Sequence, residues 1–408
     1  MIEIRKVDTA AEIQAFLDFP RALYAQDPNW VCPLDMELRN LLFNRAKNPS
    51  FKDGDARCFV AYKKGRVVGR IAAFYQKKRA KKFDQPTGGL GFFECIDDDA
   101  TAFALFDAAQ NQLRAWGMEA MDGPVNFGEN DRNTGLLVDG FSQTAYGMPY
   151  NPRYYLRFFE KYGFDVFFTQ FSKELDLAQP PPERFVKITK YAQEKYNVTV
   201  KYASKDKLDV YGEYFREIYN DAWRFHEHFV PIENEQIRQI VAELKMILIE
   251  EMTIFAFVNG EPAGFLICLP DLNQIIKPFR GKLSILDGLL FMWRKRNKFE
   301  WYRKNGILTR GRVIIMGVKP KFQKHGVESA MVILPMDDCR RLGFKKVELS
   351  WVGDFNPGMK AVMDATGAAF AREHRTFRYI FDPEKRAAAQ KARAVAIDNR
   401  AKAKEHEV

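Results

Sequence analysis

The chain has 408 residues, of which 47% are hydrophobic and 28% are charged, and its formal net charge is +10 at neutral pH. This composition is typical of folded globular proteins and excludes a largely disordered chain, and the length predicts two or three domains. No window reaches the ~18 uninterrupted apolar residues of a membrane span, and the N-terminus lacks the apolar segment of a signal peptide. We therefore expect a cytoplasmic protein.

The first half of the chain contains alternating helical and extended patterns of apolar residues. The predicted helices are 10–23, 34–44, 100–116 and 153–162, and the predicted strands are 58–62, 67–74, 91–95, 121–126 and 166–171. The run Gln179-Pro180-Pro181-Pro182 then interrupts any helix or sheet ladder, because proline has no amide N–H. We expect a proline-rich linker at residues 178–184.

The second half repeats this order of elements. The predicted helices are 206–221, 233–249, 326–342 and 357–366, and the predicted strands are 253–258, 263–268, 312–318, 346–351 and 376–381. The turn Asn259-Gly260 predicts a β-hairpin. Both halves follow the order β-α-α-β-β-β-α-β-α-β, which indicates an internal repeat. We expect two α/β (α+β) domains, 1–177 and 185–382, with an insertion at 273–311 and a basic, Ala-rich tail at 383–408.

The turn that follows strand 312–318 has the features of an anion-binding site. After Pro320 the chain passes through Gln323 and Gly326 into a helix, which leaves several amide N–H groups unpaired at the helix N-terminus. Such a helix start suits a diphosphate. Gly326 allows close approach of the anion, and Lys324 adds positive charge.

This turn carries a resemblance to a known family. Val318, Pro320, Gln323 and Gly326 match position by position the cofactor loop Val-x-Pro-x-x-Gln/Arg-x-x-Gly-x-Gly/Ala of the GCN5-related N-acetyltransferase (GNAT) superfamily. Asn356 resembles the family's entry to its fourth helix. The resemblance implies two tandem GNAT-like domains, each a mixed, mostly antiparallel sheet flanked by helices, and acyl-CoA as the co-substrate of an N-acyl transfer. The acyl-CoA contacts that it implies come from Gly317, Val318, Gln323, Lys324, His325, Gly326, Val327, Ser329 and Asn356.

Within this resemblance, the amides of Gly317 and Val318 are expected to polarise the thioester carbonyl. Two positions depart from the family pattern. Glu328 stands where the loop has its last Gly or Ala, and its carboxylate would repel a diphosphate. Met363 stands where the family often has the Tyr that protonates the departing thiolate. In the first half, Asp97 to Asp99 occupy the matching turn, so we expect this degenerate copy to shape the acceptor site rather than to bind CoA.

Four side chains are candidates for proton transfer. His226 and His228 lie between the first two helices of the second copy, and each is equally an ordinary exposed loop histidine. Glu348 is a second candidate base, acting directly or through water, and Tyr379 is a candidate acid whose alternative role is core packing. No metal site is predicted, because His-x-His supplies only two ligands.

The positive charge is concentrated in three segments. Residues 277–312 carry a net +9, residues 77–82 a net +5 and residues 384–408 a net +3. In 277–312 the basic residues alternate with Leu, Phe and Trp, which is typical of helices at an anionic membrane surface and equally of a substrate lid. A solvated cationic surface is the structural alternative. No nucleic-acid-reading motif accompanies the charge, so no specific nucleic-acid partner is expected.

Three functions are compatible with these features. The first is an acyl-CoA-dependent N-acyltransferase acting on an amine that the sequence does not identify. The second is a long-chain N-acyltransferase acting on a lipid or sphingoid amine, held peripherally at the inner membrane face. The third is a catalytically inactive binding protein with the same fold, which Glu328 and Met363 would favour.

Overall fold

The fold is described from a computed structural model of the chain, for residues 1–128, 132–224 and 231–392. The chain divides into two compact units. Unit 1 consists of residues 1–169 and of the chain from His374 onward, and unit 2 consists of residues 170–373.

The first part of the chain follows the predicted order closely. Its elements are β1 (Ile2–Lys6), α1 (Ala10–Leu23), α2 (Asp35–Leu42), β2 (Gly54–Lys63), β3 (Arg66–Gln76), α3 (Lys77–Ala80), β4 (Thr87–Cys95), α4 (Asp99–Ala115), β5 (Ala120–Gly123), β6 (Leu136–Asp139), α5 (Tyr155–Tyr162) and β7 (Asp165–Asp176). Thr9 and Glu12 form a capping box that begins α1, because each side chain bonds the other residue's backbone amide.

The second part adds helices that the apolar spacing did not predict. Its elements are α6 (Glu183–Tyr196), β8 (Val198–Tyr202), α7 (Leu208–Trp223), α8 (Asn234–Lys245), β9 (Thr253–Val258), β10 (Glu261–Pro270), α9 (Asn273–Ile276), α10 (Ile285–Arg294), α11 (Arg296–Lys304), β11 (Arg310–Val318), α12 (Val327–Ile333), α13 (Met336–Arg341), β12 (Lys346–Gly353), α14 (Pro357–Ala365) and β13 (Ala369–Ile380). The predicted Asn259-Gly260 hairpin is confirmed, with positive φ at both residues.

The sheet of unit 1 is mixed and mostly antiparallel. Strands β1 to β4 pair in sequence order, each antiparallel to the next, and β4 pairs parallel with β5. Residues 377–380 of β13 complete the sheet, antiparallel to β5. The core on this sheet is rich in aromatic residues, among them Phe93, Phe106 and Phe159.

The sheet of unit 2 has the same plan, as the internal repeat predicts. Strands β8, β9, β10 and β11 pair in sequence order, each antiparallel to the next. Strand β11 pairs parallel with β12, and residues 170–176 of β7 complete the sheet, antiparallel to β12. The tandem repeat is therefore confirmed at the level of strand order.

The division into units differs from the predicted boundaries at 177 and 185. Residues 170–176 of β7 pair within unit 2, whereas residues 377–380 of β13, the last strand of the chain, pair within unit 1. The proline run at 180–182 lies inside unit 2, directly before α6. Strand pairing, and not the proline run, decides where each unit begins. Apolar spacing along the chain does not reveal which strands pair.

The predicted single helix 326–342 is wrong, because the structure has two helices there, α12 and α13. Pro335 lies between them, and its ring and missing amide are incompatible with the interior of a continuous helix. The break keeps α12 short, with its N-terminus directly after the turn that follows β11. Among the described residues, no helix is both long and apolar enough to cross a bilayer.

Candidate active site in unit 2

Two parallel strands diverge in the middle of the unit 2 sheet. Strands β11 and β12 pair only from Arg310–Lys346 to Val313–Leu349, although both continue beyond these residues. A bulge contributes to the divergence, because Ile314 has no partner in the register of β11 with β10. The result is an opening between the C-terminal halves of two neighbouring strands.

The backbone of β11 exposes amide groups to this opening. The Lys319 amide donates to the Ala263 carbonyl oxygen of β10 at 2.9 Å. Because amides alternate in direction along a strand, that of Gly317 also faces β10, whereas those of Met316 and Val318 face the side that β12 has left. Of the two amides expected to polarise a thioester carbonyl, Val318 thus lies on the open edge.

A largely apolar cavity of about 270 Å³ occupies the opening. It is bounded by β11, β12, α14 and the C-terminal end of α7, and its polar side chains are Ser350, Asn356 and Thr366. Its apolar lining includes Trp223, Ile315, Met316, Trp351, Phe355, Met359, Val362 and Met363.

A second apolar cavity of about 40 Å³ adjoins the first. The two share four lining residues, which are Leu266, Val313, Val332 and Leu349. Apart from Cys268 and Cys339, the lining of the smaller cavity is hydrocarbon or thioether. The interior next to β11 is thus suited to an apolar chain.

The close approach of Trp223 explains why residue 317 is a glycine. A Cβ atom at Gly317 would collide with the Trp223 ring. Trp223 also stacks on Tyr219, with 4.6 Å between ring centroids. The aromatic end of α7 therefore closes one wall of the cavity, a role that the helical spacing of α7 alone did not indicate.

The turn after β11 ends at a glycine in the left-handed region. Gly326 has φ +76° and is the N-cap of α12, so the amides of the first turn point out of the helix. A Cβ atom at Gly326 would come within 2.8 Å of the Ala192 Cβ atom of α6. The turn is thus fitted against α6, a helix that the sequence analysis did not predict.

The remaining residues of the turn are arranged around this helix start. Lys324 is exposed, with φ +65°. The Gln323 side chain donates to the Val318 carbonyl oxygen at 3.4 Å, and the His325 ring packs edge-on against Tyr196 at 4.4 Å. The side chains of Val327 and Ser329 are buried, so these two residues present only their amides to a ligand.

Glu328 lies at the same helix start and opposes an anion there. Its carboxylate accepts a hydrogen bond from its own amide, and burial raises the pKa of this carboxyl above its ordinary value. A diphosphate at the helix N-terminus would have to displace this carboxylate from the amide. The first-turn amides of α12 and the Lys324 side chain suit a diphosphate, and the Glu328 carboxylate weakens that fit.

A buried charged cluster lies on the paired part of β11 and β12. Glu348 is fully buried, and its Oε2 atom accepts a 2.6 Å hydrogen bond from Arg372 and lies 4.0 Å from Arg310. Its Oε1 atom has no hydrogen-bond partner among the described residues. The Arg312 Nε atom donates to the Ser350 hydroxyl at 2.7 Å. Ser350, which lines the cavity, is therefore bonded to a buried arginine two residues along β11 from Arg310.

Comparisons with known proteins show which proteins this chain is similar to. It is 31% identical over 386 residues to "Bacterial ceramide synthase" of Caulobacter vibrioides, covering 92% of this chain and 97% of that protein. It is 27% identical to "Protein YghO" of Escherichia coli over 374 residues, 90% of this chain and 92% of that protein. A tandem GNAT protein from the clavulanic acid biosynthesis pathway superimposes with a TM-score of 0.55 at 12% identity, covering 94% of this chain and 99% of that chain.

The chain belongs to the family of the Caulobacter protein, and it has the fold of the tandem GNAT structure. No family model matches it. The likeness to the tandem GNAT structure shows the fold, in agreement with the repeated sheet of units 1 and 2.

The other GNAT site predictions fall in different places. Asn356 lines the cavity and begins α14, where its side chain accepts a hydrogen bond from the Met359 amide at 3.1 Å. Met363 also lines the cavity. Tyr379 belongs to unit 1, where its ring packs 5.0 Å from Tyr162 and 5.2 Å from Phe164. His226 and His228 lie outside the described residues.

The GNAT-like turn of unit 1 differs from that of unit 2 in charge. Asp99 starts α4, and its carboxylate accepts hydrogen bonds from Arg157 at 3.0 Å and from Lys161 at 2.8 Å. Asp98 accepts one from Lys63 at 3.0 Å. The chain's own carboxylates and their cations occupy this helix start.

Proposed function

We propose that unit 2 binds acyl-CoA and transfers its acyl group to an amine. The observation that carries the proposal is the apolar cavity between the diverging strands, which lies next to open-edge amides and is followed by a glycine-capped helix start. In the proposed complex the diphosphate lies on the first-turn amides of α12, and the thioester lies at the Met316 and Val318 amides.

The proposed reaction is direct acyl transfer. The neutral amine nitrogen attacks the thioester carbonyl carbon, the C–N bond forms, the C–S bond breaks and CoA leaves as the thiolate. The Val318 amide is positioned to stabilise the negative charge that develops on the carbonyl oxygen. The proton lost by the amine passes to a base or to water, and no protein acid is needed for a thiolate to depart.

We further propose that Glu348 is the base, acting through water that bridges its free Oε1 atom and the cavity near Ser350. Burial without a hydrogen-bond partner on Oε1 supports a water-mediated role. The test is the rate of Glu348→Gln at saturating palmitoyl-CoA. If Glu348 is the base, this variant loses about a hundredfold in rate while palmitoyl-CoA binding is unchanged, whereas an unchanged rate assigns the proton to another group.

We also propose that the acyl chain is long and the acceptor is a lipid amine of the sphingoid type. The apolar cavity and the printed name of the Caulobacter relative support this proposal. A ceramide is the amide of a fatty acyl group and a sphingoid amine. Such an acceptor is held in a membrane, so this proposal places a cytoplasmic protein peripherally at the inner membrane face.

Calorimetric titration with acetyl-CoA and palmitoyl-CoA tests acyl-CoA binding. Each buried methylene contributes about 0.8 kcal/mol, so palmitoyl-CoA is expected to bind more than about tenfold tighter than acetyl-CoA. Val362→Trp, which fills the cavity, should weaken palmitoyl-CoA binding by about tenfold or more and leave acetyl-CoA binding unchanged. The matched control is Ala361→Trp, the adjacent but exposed position of α14. Absence of binding with either ligand would contradict the proposal.

A charge variant tests where the diphosphate binds. Lys324→Glu is expected to weaken binding of both ligands about equally, by roughly fivefold, because it reverses an exposed charge beside the helix start. Lys345→Glu is the control, because Lys345 is also exposed but precedes β12, at the opposite end of the parallel strand pair. Equal effects of the two variants would contradict a diphosphate site at the start of α12.

A further inference from the structure

Helix α10 carries a continuous apolar face that is open to solvent. Its exposed large hydrophobic side chains are Ile285, Leu286, Leu289, Leu290, Met292 and Trp293. At 100° per residue, these six positions occupy an arc of about 160°. The inner side of the helix is formed by Phe291, whose ring lies 6.4 Å from those of Phe299 and Tyr302 on α11. The outer face has no such covering within the described part of unit 2.

This exposure is concentrated and not scattered. Sixteen large hydrophobic side chains are exposed among the described residues, and seven of them lie between Leu283 and Trp293. Ile285 is 87% exposed and Leu286 is 74% exposed. Single exposed apolar residues are normal, but a contiguous patch marks an interaction surface.

Basic residues flank α10 in the sequence of the insertion. Those that are exposed in the insertion are Lys277, Arg280, Lys282, Arg296 and Lys304. The one acid within α10, Asp287, forms a capping box with Ser284 and thereby fixes the start of the helix. An exposed apolar helix in a basic segment is complementary to a bilayer whose hydrocarbon lies beneath negatively charged headgroups.

The dimensions of the helix agree with this kind of partner. Ten residues span about 15 Å, which is half the hydrocarbon thickness of a bilayer, so α10 is suited to lie in the interface and not to cross it. A second copy of the chain would bring the same cations against each other around the shared face, which disfavours self-association through α10.

We propose that α10 is a membrane-docking helix, which inserts Ile285, Leu286, Leu289 and Trp293 into the surface of an anionic bilayer. The basic residues of the insertion then contact lipid headgroups. The docking helix deepens the proposed function, because a lipid amine has to be taken from a bilayer. The role of docking in the reaction therefore rests on the proposed function. Docking itself needs neither acyl-CoA nor an acceptor.

The experiment is vesicle flotation of the full chain without acyl-CoA. The vesicles are phosphatidylcholine alone or phosphatidylcholine with one quarter phosphatidylglycerol. We expect at least tenfold more protein on the anionic vesicles, and less as salt rises. Leu286→Asn/Leu289→Asn should lower anionic-vesicle binding at least tenfold. The control Met36→Asn/Met246→Asn changes two exposed methionines outside the insertion and should bind as the wild type does.

The outcomes separate this proposal from the proposed reaction. Unchanged flotation of Leu286→Asn/Leu289→Asn, or no flotation of the wild type, overturns the docking helix even if acyl-CoA still binds by calorimetry. A wild-type dimer that this variant dissociates, in sedimentation without lipid, assigns the face to a second copy and also overturns the proposal. Loss of vesicle binding with intact acyl-CoA binding and an unchanged melting temperature supports it.

Discussion

At the residue scale, Glu328 is the side chain that most directly opposes an anion at the proposed diphosphate site. Its carboxylate shares the N-terminus of α12 with the expected diphosphate, and burial raises its pKa. A negative side chain beside an anion at a helix end costs up to about 1 kcal/mol of binding free energy relative to a neutral side chain, which is roughly fivefold in affinity. Under the proposed function, the residue that the family motif fills with Gly or Ala is therefore expected to lower acyl-CoA affinity.

Replacing Glu328 by Gln should tighten palmitoyl-CoA binding about fivefold at pH 7.5, because the charge that opposes the diphosphate is removed. As the pH falls through the raised pKa, the wild-type carboxyl takes up a proton and loses its charge. The affinities of the two proteins should therefore converge as the pH is lowered. Titration calorimetry at several pH values measures the ratio, and a ratio independent of pH would contradict the placement of Glu328 at the phosphate site.

A second prediction at this scale concerns the charged cluster. Glu348→Gln leaves Arg372 and Arg310 beside a neutral partner in a buried site, and we expect it to lower the free energy of unfolding by about 3 kcal/mol. Glu174, its neighbour in register on β7, pairs with Lys346 near the surface. Glu174→Gln should cost less than about 1 kcal/mol in the same urea titration. Equal costs would show that the cluster does not stabilise unit 2.

The sequence was sufficient to propose which turn forms the anion site, because Val318, Pro320, Gln323 and Gly326 are close together in the chain. It did not indicate the cavity walls. Trp223, Phe355 and Val362 come from three separate segments, and no local spacing shows that they meet. Glu348 and Tyr379 were proposed from strand position alone, and only the fold shows that one joins a buried ion cluster and the other an aromatic core.

At the element scale, the start of α12 depends on α6. Gly326 combines a positive φ with a close approach to Ala192, and both features require the absence of a Cβ atom. Apolar spacing did not predict α6, since the proline run before it indicated a linker. Pro335 was likewise not recognised as the end of α12, although proline in a helix interior is a known break.

Gly326→Ala should therefore destabilise the protein more than an alanine at an unhindered glycine of similar conformation. Gly260 is that control, with φ +82° and no neighbour within 4 Å of a Cβ atom. We expect Gly260→Ala to cost about 1 kcal/mol from backbone strain, and Gly326→Ala to cost at least about 1 kcal/mol more. Thermal unfolding gives both values, and equal losses would mean that α6 does not pack against the turn.

At the scale of the whole molecule, the repeat was recognisable because both halves show the same order of hydrophobic patterns. The exchange of the last strands was not recognisable. Strands β7 and β13 have similar hydrophobic patterns, so each of them could complete the sheet of unit 1 or of unit 2. Pairing between residues far apart in sequence decides the matter, and one sequence contains no record of it. The unit limits are consequently 170 and 373, and not 185 and 382.

This division predicts how fragments behave. The fragment 170–373 contains every strand that pairs in the unit 2 sheet and should unfold cooperatively in urea. The fragment 185–382 lacks residues 170–176, which leaves one edge of β12 unpaired, and should give a broad, weakly cooperative transition or aggregate. If 185–382 folds as well as 170–373, the strand exchange is incorrect.

The central claim is that unit 2 uses its cavity to transfer an acyl group from CoA to an amine. The most direct measurement follows free CoA thiol and the amide product together, with palmitoyl-CoA and a sphingoid amine as substrates. We predict equal amounts of thiol and N-acyl amine for the wild type and for Ala361→Trp, and at least a tenfold loss of both for Val362→Trp. Thiol release without amide, or equal turnover by the two tryptophan variants, would contradict the claim.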